Sequence, residues 1–139
     1  MKLKIKPKIL VIVGPTASGK SALAIKIAQK FDGEIVSADS RQVYKGMDIG
    51  TAKPSRKEIA AVPHHIINIK NSDEKYTVSE YKRDAVKAIN KILNDKKLPI
   101  LVGGTGLYIK AVIDNLNIPE VAPDLKLRKK LEKEIEKYG

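Results

Sequence analysis

The sequence predicts an α/β fold, in which a parallel β-sheet is covered by helices on both faces. Short apolar runs, the first of them at 9–13, alternate with longer segments whose apolar residues recur at helical spacing. A strand that is apolar on both sides belongs between two layers of helices, so we expect residues 9–13 in the middle of the sheet. The alternation of strands and helices also favours parallel pairing.

The predicted elements follow each other without an internal repeat. After the first strand we predict a helix at 21–31, a strand at 34–38, a loop at 46–63, a strand at 64–69, a helix from 78 to about 95 and a strand at 100–102. Gly33 lies just past the first helix, where helices commonly end. Thr77 and Glu80 form a capping-box pattern that opens the long helix.

The composition changes near Asn115 and predicts a second unit. Residues 115–123 contain two prolines and no clear period, which is typical of a linker, and 124–138 predict a charged helix capped by Asp124. Its apolar stripe consists of Leu127, Leu131 and Ile135. So narrow a stripe needs a partner. We therefore divide the chain into an α/β core at 1–114 and a linker with one helix at 115–139, the latter indicating part of something larger.

Length and composition exclude several classes of protein. The chain has 139 residues, 27 lysines and arginines, 16 acidic residues and a formal net charge of +11, with a hydrophobic content of 42% typical of a globular domain. Because it lacks cysteine, it has no disulfide scaffold or thiolate metal site. The basic excess indicates a polyanionic partner or a lysine-rich surface. The apolar run at 9–13 is too short for a signal peptide or membrane span, so we expect a cytoplasmic protein without a membrane segment.

The segment from Gly14 to Ser21 carries the most specific chemical pattern. It fits the phosphate-binding P-loop, G-x-x-x-x-G-K-[ST], directly after a buried strand and at the start of a helix. The residues are Gly14, Pro15, Thr16, Ala17, Ser18, Gly19, Lys20 and Ser21. Backbone N–H groups and Lys20 attract phosphates, and the Ser21 hydroxyl is placed to ligate Mg²⁺. The pattern predicts a P-loop NTPase-like fold that binds a di- or triphosphate.

The ends of two other predicted strands carry further candidates. Asp39 follows the strand at 34–38, on the sheet edge where ligands bind in such folds, and can act as an acid or base, or merely as a helix cap. The strand at 100–102 ends in two glycines and Thr105 rather than the Mg²⁺-holding Asp of ATPases and GTPases. His64 and His65 are adjacent on a strand and point to opposite faces, so we expect structural or supporting roles rather than a shared metal.

Five short segments together resemble the tRNA dimethylallyltransferases, also called tRNA isopentenyltransferases, and occur in that family's order. They are GPTASGKS at 14–21, SADSRQVY at 37–44, GMDIGTAKP at 46–54, PHH at 63–65 and GGTGLY at 103–108. The resemblance implies transfer of a dimethylallyl group from dimethylallyl diphosphate to N6 of the adenosine beside a tRNA anticodon, with Mg²⁺ present.

The resemblance also implies roles for individual residues. Thr16 to Ser21 would hold the diphosphate of the donor, with Ser21 nearest the metal. Asp39 would accept a proton from the attacking amine or hydrogen-bond to it. The residues implied to contact the tRNA around its target base are Ser40, Arg41, Gln42 and Thr105, with Thr105 lining the same pocket. Thr16, Lys20, Asp39 and Thr105 are the implied catalytic residues.

One departure from the family concerns length. Its members are longer, insert a helical domain that grips the anticodon stem-loop, and then return to the sheet, whereas this chain stops at Gly139 within what resembles the first helix of that insertion. We therefore expect a truncated core with a donor site and weak or no activity on tRNA. A P-loop small-molecule kinase, an adenine-nucleotide isopentenyltransferase and a non-catalytic phosphate- or RNA-binding fragment are the alternatives. The oligomeric state stays open.

Overall fold

A computed structural model describes residues 8–48, 50, 52–119 and 121–139. The basic N-terminal segment at 1–7, Ile49 and Thr51 of the 46–54 segment, and Glu120 of the predicted linker lie outside the described residues. Among the described residues, no helix combines the length and apolar character needed to cross a bilayer.

The chain alternates strands and helices, and the predicted α/β fold class is confirmed. The strands are β1 Leu10–Val13, β2 Gly33–Ser37, β3 His64–His65 and β4 Leu98–Gly103. The helices are α1 Lys20–Phe31, α2 Arg56–Ala61, α3 Val78–Asn94, α4 Gly106–Ile113 and α5 Leu125–Tyr138. The strands pair in parallel in the order β1-β4-β2-β3.

Two apolar cores form because side chains alternate across the sheet. Ile35 and Ile100 contribute to the cluster beneath α1, whereas Val36 and Leu101 contribute to the cluster beneath α3 and α4. On the second side Tyr81 is fully buried, and its hydroxyl donates a hydrogen bond to the Ser37 carbonyl at 3.0 Å. Helices thus cover both faces, as the pattern of apolar runs predicts.

The position of β1 in the sheet differs from our prediction. We expected residues 9–13 in the middle, but within the described chain β1 pairs only with β4 and forms an edge. Val13 is 59% exposed, while Ile100 and Leu101 of β4 are almost completely buried. The apolar composition of both segments is similar, so the order of the strands rather than their composition decides which one is central.

Three further features of the secondary structure differ from the sequence prediction, namely one strand end and two helices. The third strand ends at His65 instead of residue 69, because Ile66 and Asn68 adopt left-handed backbone angles, with φ of 62° and 55°. The predicted loop at 46–63 contains α2, which Ser55 and Glu58 cap reciprocally. We also assigned no helix where α4 forms.

Local capping predictions are confirmed at α3 and α5. Thr77 and Glu80 form the predicted capping box, and Asp124 accepts hydrogen bonds from two backbone N–H groups at the start of α5. The C-cap of α1 is Asp32, in the left-handed conformation, while Gly33 already belongs to β2. No residue of α5 is buried, so its apolar stripe faces outward.

Candidate functional site

The P-loop connects β1 to α1 in a turn that its residue types permit. Ala17 and Gly19 adopt left-handed angles, with φ of 61° and 83°, which place successive backbone N–H groups around a concave surface. Ser18 Oγ donates to the Pro15 carbonyl at 2.7 Å, and Lys20 Nζ donates to the same carbonyl. Hydrogen bonds from its own side chains therefore stabilise the conformation of the loop.

A cleft of about 280 Å³ lies beside this loop, at the carboxyl edge of the sheet. Several sequence-predicted residues line it together: Thr16, Ala17, Ser18, Gly19, Lys20, Ser21, Asp39 and Gln42. The ends of β2 and β4 contribute Ser37, Val102, Gly103 and Gly104 to its floor. The structure thus brings the P-loop and the predicted acid–base residue to one cavity, while Arg41 lies exposed beside it.

Asp39 both anchors the local turn and faces the cleft. Its Oδ1 atom accepts hydrogen bonds from the backbone N–H groups of Arg41 at 2.8 Å and Gln42 at 3.2 Å. Its Oδ2 atom makes no further hydrogen bond to the described part of the chain. Residues 40–43 form a turn and not a helix, so the helix-cap alternative for Asp39 is wrong. Anchoring this turn is compatible with a chemical role, because the two would use different oxygens.

Thr105 follows Gly103 and Gly104, which line the cleft, and its expected place in the pocket stays a prediction. Its Oγ1 atom accepts a hydrogen bond from Ser40 N at 3.0 Å and donates to Ser40 Oγ at 3.4 Å. This pair ties the turn after β2 to the turn after β4. In the structure Thr105 holds the Asp39 turn in place through Ser40.

Close packing surrounds two glycines at the end of β4, where Gly103 is the last residue of the strand and Gly104 follows it. A Cβ atom on Gly103 would overlap the backbone carbonyl of Ala38, and one on Gly104 would lie 3.1 Å from the Gly14 carbonyl. The end of β4 therefore fits between the end of β2 and the P-loop only without side chains. This packing sets the distance across the cleft floor.

The loop that borders the cleft is held by a buried lysine that the sequence patterns did not reveal. The Lys53 side chain is only 4% exposed. Its Nζ atom donates to the Tyr44 carbonyl at 2.8 Å, to Asp48 Oδ1 at 2.8 Å and to Asn68 Oδ1 at 2.6 Å. Three acceptors satisfy all of its N–H groups, so Lys53 fixes the loop that carries Ala52 and Pro54 to the cleft.

Two further ionisable residues line the cleft: Glu58, which sequence reasoning missed, and His64, for which we expected a structural or supporting role. Hydrogen bonds from the Ser55 backbone and hydroxyl lower the pKa of the Glu58 carboxyl. Burial lowers the pKa of the His64 imidazole, although its bond to the Val62 carbonyl and the Glu58 charge act in the opposite direction. The Ser55-x-x-Glu58 capping pattern was the signal from which α2, and thus Glu58, was predictable.

His65, in contrast, has the structural role that we predicted. Its Nε2 atom lies 2.7 Å from Glu34 Oε2, and Lys97 Nζ lies 2.9 Å from Glu34 Oε1. Burial favours the neutral form of Glu34, but the hydrogen bonds from His65 and Lys97 outweigh it and lower the pKa of the carboxyl. We call these three residues the Glu34 cluster; they join β2, β3 and the start of β4.

Comparison with known protein families shows to which family this chain belongs. The family model described as IPP transferase matches residues 42–139. The chain belongs to the IPP transferase family. It is 53% identical over 131 residues to a tRNA dimethylallyltransferase of Roseiflexus sp. (strain RS-1), a match covering 94% of this chain and 43% of the relative.

Solved structures of IPP transferases share this fold. The tRNA isopentenylpyrophosphate transferase from Bacillus halodurans aligns with a TM-score of 0.79 and 45% identity over 96% of this chain and 44% of its own. A eukaryotic dimethylallyltransferase acting on tRNA aligns with a TM-score of 0.76 and 35% identity, over 91% of this chain and 32% of its own. The chain thus spans less than half of the length of these relatives.

Proposed function

We propose that this chain forms the donor-binding part of a cytoplasmic tRNA dimethylallyltransferase, which transfers a dimethylallyl group from dimethylallyl diphosphate to N6 of the adenosine beside a tRNA anticodon. The observation that carries the proposal is the convergence of the P-loop and Asp39 on one cleft. The names of the relatives, tRNA dimethylallyltransferase and tRNA isopentenylpyrophosphate transferase, support it. Ser40, Arg41 and Gln42, which follow Asp39, are the proposed contacts to the tRNA around its target base.

The proposed reaction divides between the two sides of the cleft. The N6 amine attacks C1 of the dimethylallyl group, the C1–O bond breaks, and the diphosphate leaves with the bonding electron pair. P-loop N–H groups and Lys20 stabilise the charge that develops on the leaving diphosphate. Asp39 Oδ2 accepts the proton that the amine loses, because Oδ1 is already engaged by the turn.

The residues around the cleft fit Mg²⁺. Hydroxyl and carboxylate oxygens are ligands that Mg²⁺ prefers, and it usually completes its coordination with waters and substrate phosphates. The Ser21 hydroxyl lines the cleft, so it would hold the ion together with waters and phosphate oxygens of the donor. When bound, the ion would neutralise charge on the leaving diphosphate.

The size of the cleft favours a small diphosphate over a nucleotide. Its volume of about 280 Å³ lies just below the usual range for ligand pockets, which is roughly 300–1,000 Å³. We therefore expect dimethylallyl diphosphate to bind about tenfold more tightly than ATP in isothermal titration calorimetry with Mg²⁺. Tighter binding of ATP would instead favour the small-molecule kinase.

Asp39→Asn separates donor binding from transfer. Asparagine retains an oxygen for the Arg41 and Gln42 N–H groups, so the turn and the donor affinity should stay within about twofold of the unmodified chain. Transfer of labelled dimethylallyl to an anticodon stem-loop, measured in single-turnover incubations with this chain extended to the length of its relatives, should fall by about 100-fold or more because the proton acceptor is lost. Undiminished transfer by the variant would remove Asp39 from the mechanism.

A further inference from the structure

His64 and His65 are neighbours in sequence with separate surroundings. In the parallel pairing of β2 and β3, His64 lies opposite Ile35 and His65 opposite Val36. Because adjacent strand residues point to opposite faces, His65 reaches Glu34 while His64 lies on the α1 side, in the wall of the cleft. The donor-site assignment above uses Lys20 and Asp39 but gives His64 no role.

The His64 ring is oriented by the backbone next to it. Its Nδ1 atom lies 2.7 Å from the Val62 carbonyl oxygen. A carbonyl only accepts hydrogen bonds, so Nδ1 carries a proton, and in the neutral ring Nε2 presents a lone pair. Burial lowers the pKa of the imidazole, which keeps the ring neutral near pH 7 in the absence of ligand.

A bound diphosphate reverses the preference of the His64 ring for its neutral form. Its ionised oxygens are acceptors only, so the lone pair of a neutral Nε2 would face another acceptor. A protonated ring has two N–H donors, one for the Val62 carbonyl and one for a phosphate oxygen. The negative charge of the ligand also favours the positively charged ring.

We propose that His64 is a phosphate-binding residue of the cleft, which takes up a proton from solvent when a diphosphate binds and then donates a hydrogen bond from Nε2 to a phosphate oxygen. The inference rests on the proposed donor site. His64 is then a second positively charged residue that binds the diphosphate, in addition to Lys20. It belongs to β3 and not to the P-loop.

The charges around His64 are compatible with this proton uptake. Glu58 of α2 favours the protonated ring, and the neighbouring His65 opposes it. Lys20 and Asp39 line the same cleft from α1 and from the turn after β2. Binding of a diphosphate adds negative charge to this cleft, which favours the protonated ring.

The two histidines of the chain make the proposal directly measurable, because proton NMR resolves both imidazole rings. We expect saturating inorganic pyrophosphate with Mg²⁺ to raise the pKa of His64 by about one unit, corresponding to a tenfold preference of the ligand for the protonated ring. His65, paired with Glu34 away from the cleft, should shift much less. The variant His65→Gln assigns the signals.

Calorimetry with His64→Gln provides the second test. Glutamine retains a donor but cannot gain charge, so the variant should lose about fivefold in pyrophosphate affinity at pH 6 and little at pH 8. The protonation of pyrophosphate itself changes with pH in the same way in both experiments. The difference in affinity between the two proteins therefore isolates the contribution of His64. Equal losses at both pH values would indicate a structural role and overturn the proposal.

The two proposals fail in different ways. Pyrophosphate binding with an unchanged His64 pKa would overturn the role of His64 and leave the donor site intact. Absence of pyrophosphate binding to the folded chain would overturn both. If His64→Gln does not fold, the NMR titration of the unmodified chain still decides the matter.

Discussion

The two ends of the same sheet use ionisable residues in opposite ways. Where β2 and β4 begin, the three members of the Glu34 cluster hydrogen-bond to one another across 31 and 63 residues of sequence. Where β2 and β4 end, each ionisable residue of the cleft is instead anchored to nearby backbone. Asp39 uses Oδ1, Glu58 uses Oε2, His64 uses Nδ1 and Lys20 uses Nζ, with partners at most five residues away.

This difference separates stability from binding. Long-range pairs hold strands together and leave little capacity for a ligand, because both carboxylate oxygens of Glu34 are occupied. Short-range anchors orient a side chain while its second polar atom, as in Asp39 and His64, still faces the cleft. Substitutions at the two ends should therefore have different effects.

The largest expected effect is that of Gly103→Val, which should disrupt both regions. The added side chain overlaps the Ala38 backbone, and neither strand can retreat without losing its pairing. We expect a loss of about 3 kcal/mol or more in the free energy of unfolding, measured by urea denaturation. Gly106→Ala is the matched control, since nothing lies within 4 Å of a Cβ there, and should be close to neutral. Equal stability of both variants would contradict the close approach.

Lys20→Ala should weaken ligand binding without destabilising the chain. Among the described residues, the exposed Nζ atom of this lysine hydrogen-bonds within the P-loop, so the free energy of unfolding should change by about 0.5 kcal/mol or less. Pyrophosphate affinity in calorimetry should fall by about 100-fold, because a charge-assisted contact is lost. Lys26→Ala, which removes an exposed lysine of the same helix, should leave the affinity unchanged. A comparable loss of affinity in both variants would mean that Lys20 acts only through the overall positive charge of the chain and not by contacting the ligand.

Glu34→Gln should have the opposite effect to Lys20→Ala, because it lowers stability and leaves pyrophosphate affinity unchanged. Its effect should also be smaller. The lowered pKa of Glu34 means that its stabilisation is present above the ordinary value of 4.5 and is lost as pH falls through the lower folded-state pKa. The variant should lose about 1–2 kcal/mol at pH 7, and its stability should decline less than that of the unmodified chain on acidification. Urea denaturation at several pH values measures both. A marked change in pyrophosphate affinity would contradict the separation of the two regions.

Sequence patterns succeeded where the determining contacts are local. The P-loop, the Thr77 capping box and the Asp124 cap all depend on residues within a few positions of one another, and all three form as predicted. The same rule applied to Ser55 and Glu58 would have predicted α2. The third strand was predicted too long because apolar composition does not reveal the left-handed angles at Ile66 and Asn68.

Sequence by itself therefore determined the α/β class, the place of the 14–21 loop between β1 and α1, and the family resemblance, because these depend on local patterns of residues. Only the tertiary structure decided the strand order, the edge position of β1 and the surroundings of the ionisable residues. His64 and His65 show why. Adjacent residues of the same type acquire different chemistry because a parallel partner strand turns one toward the cleft and the other toward Glu34.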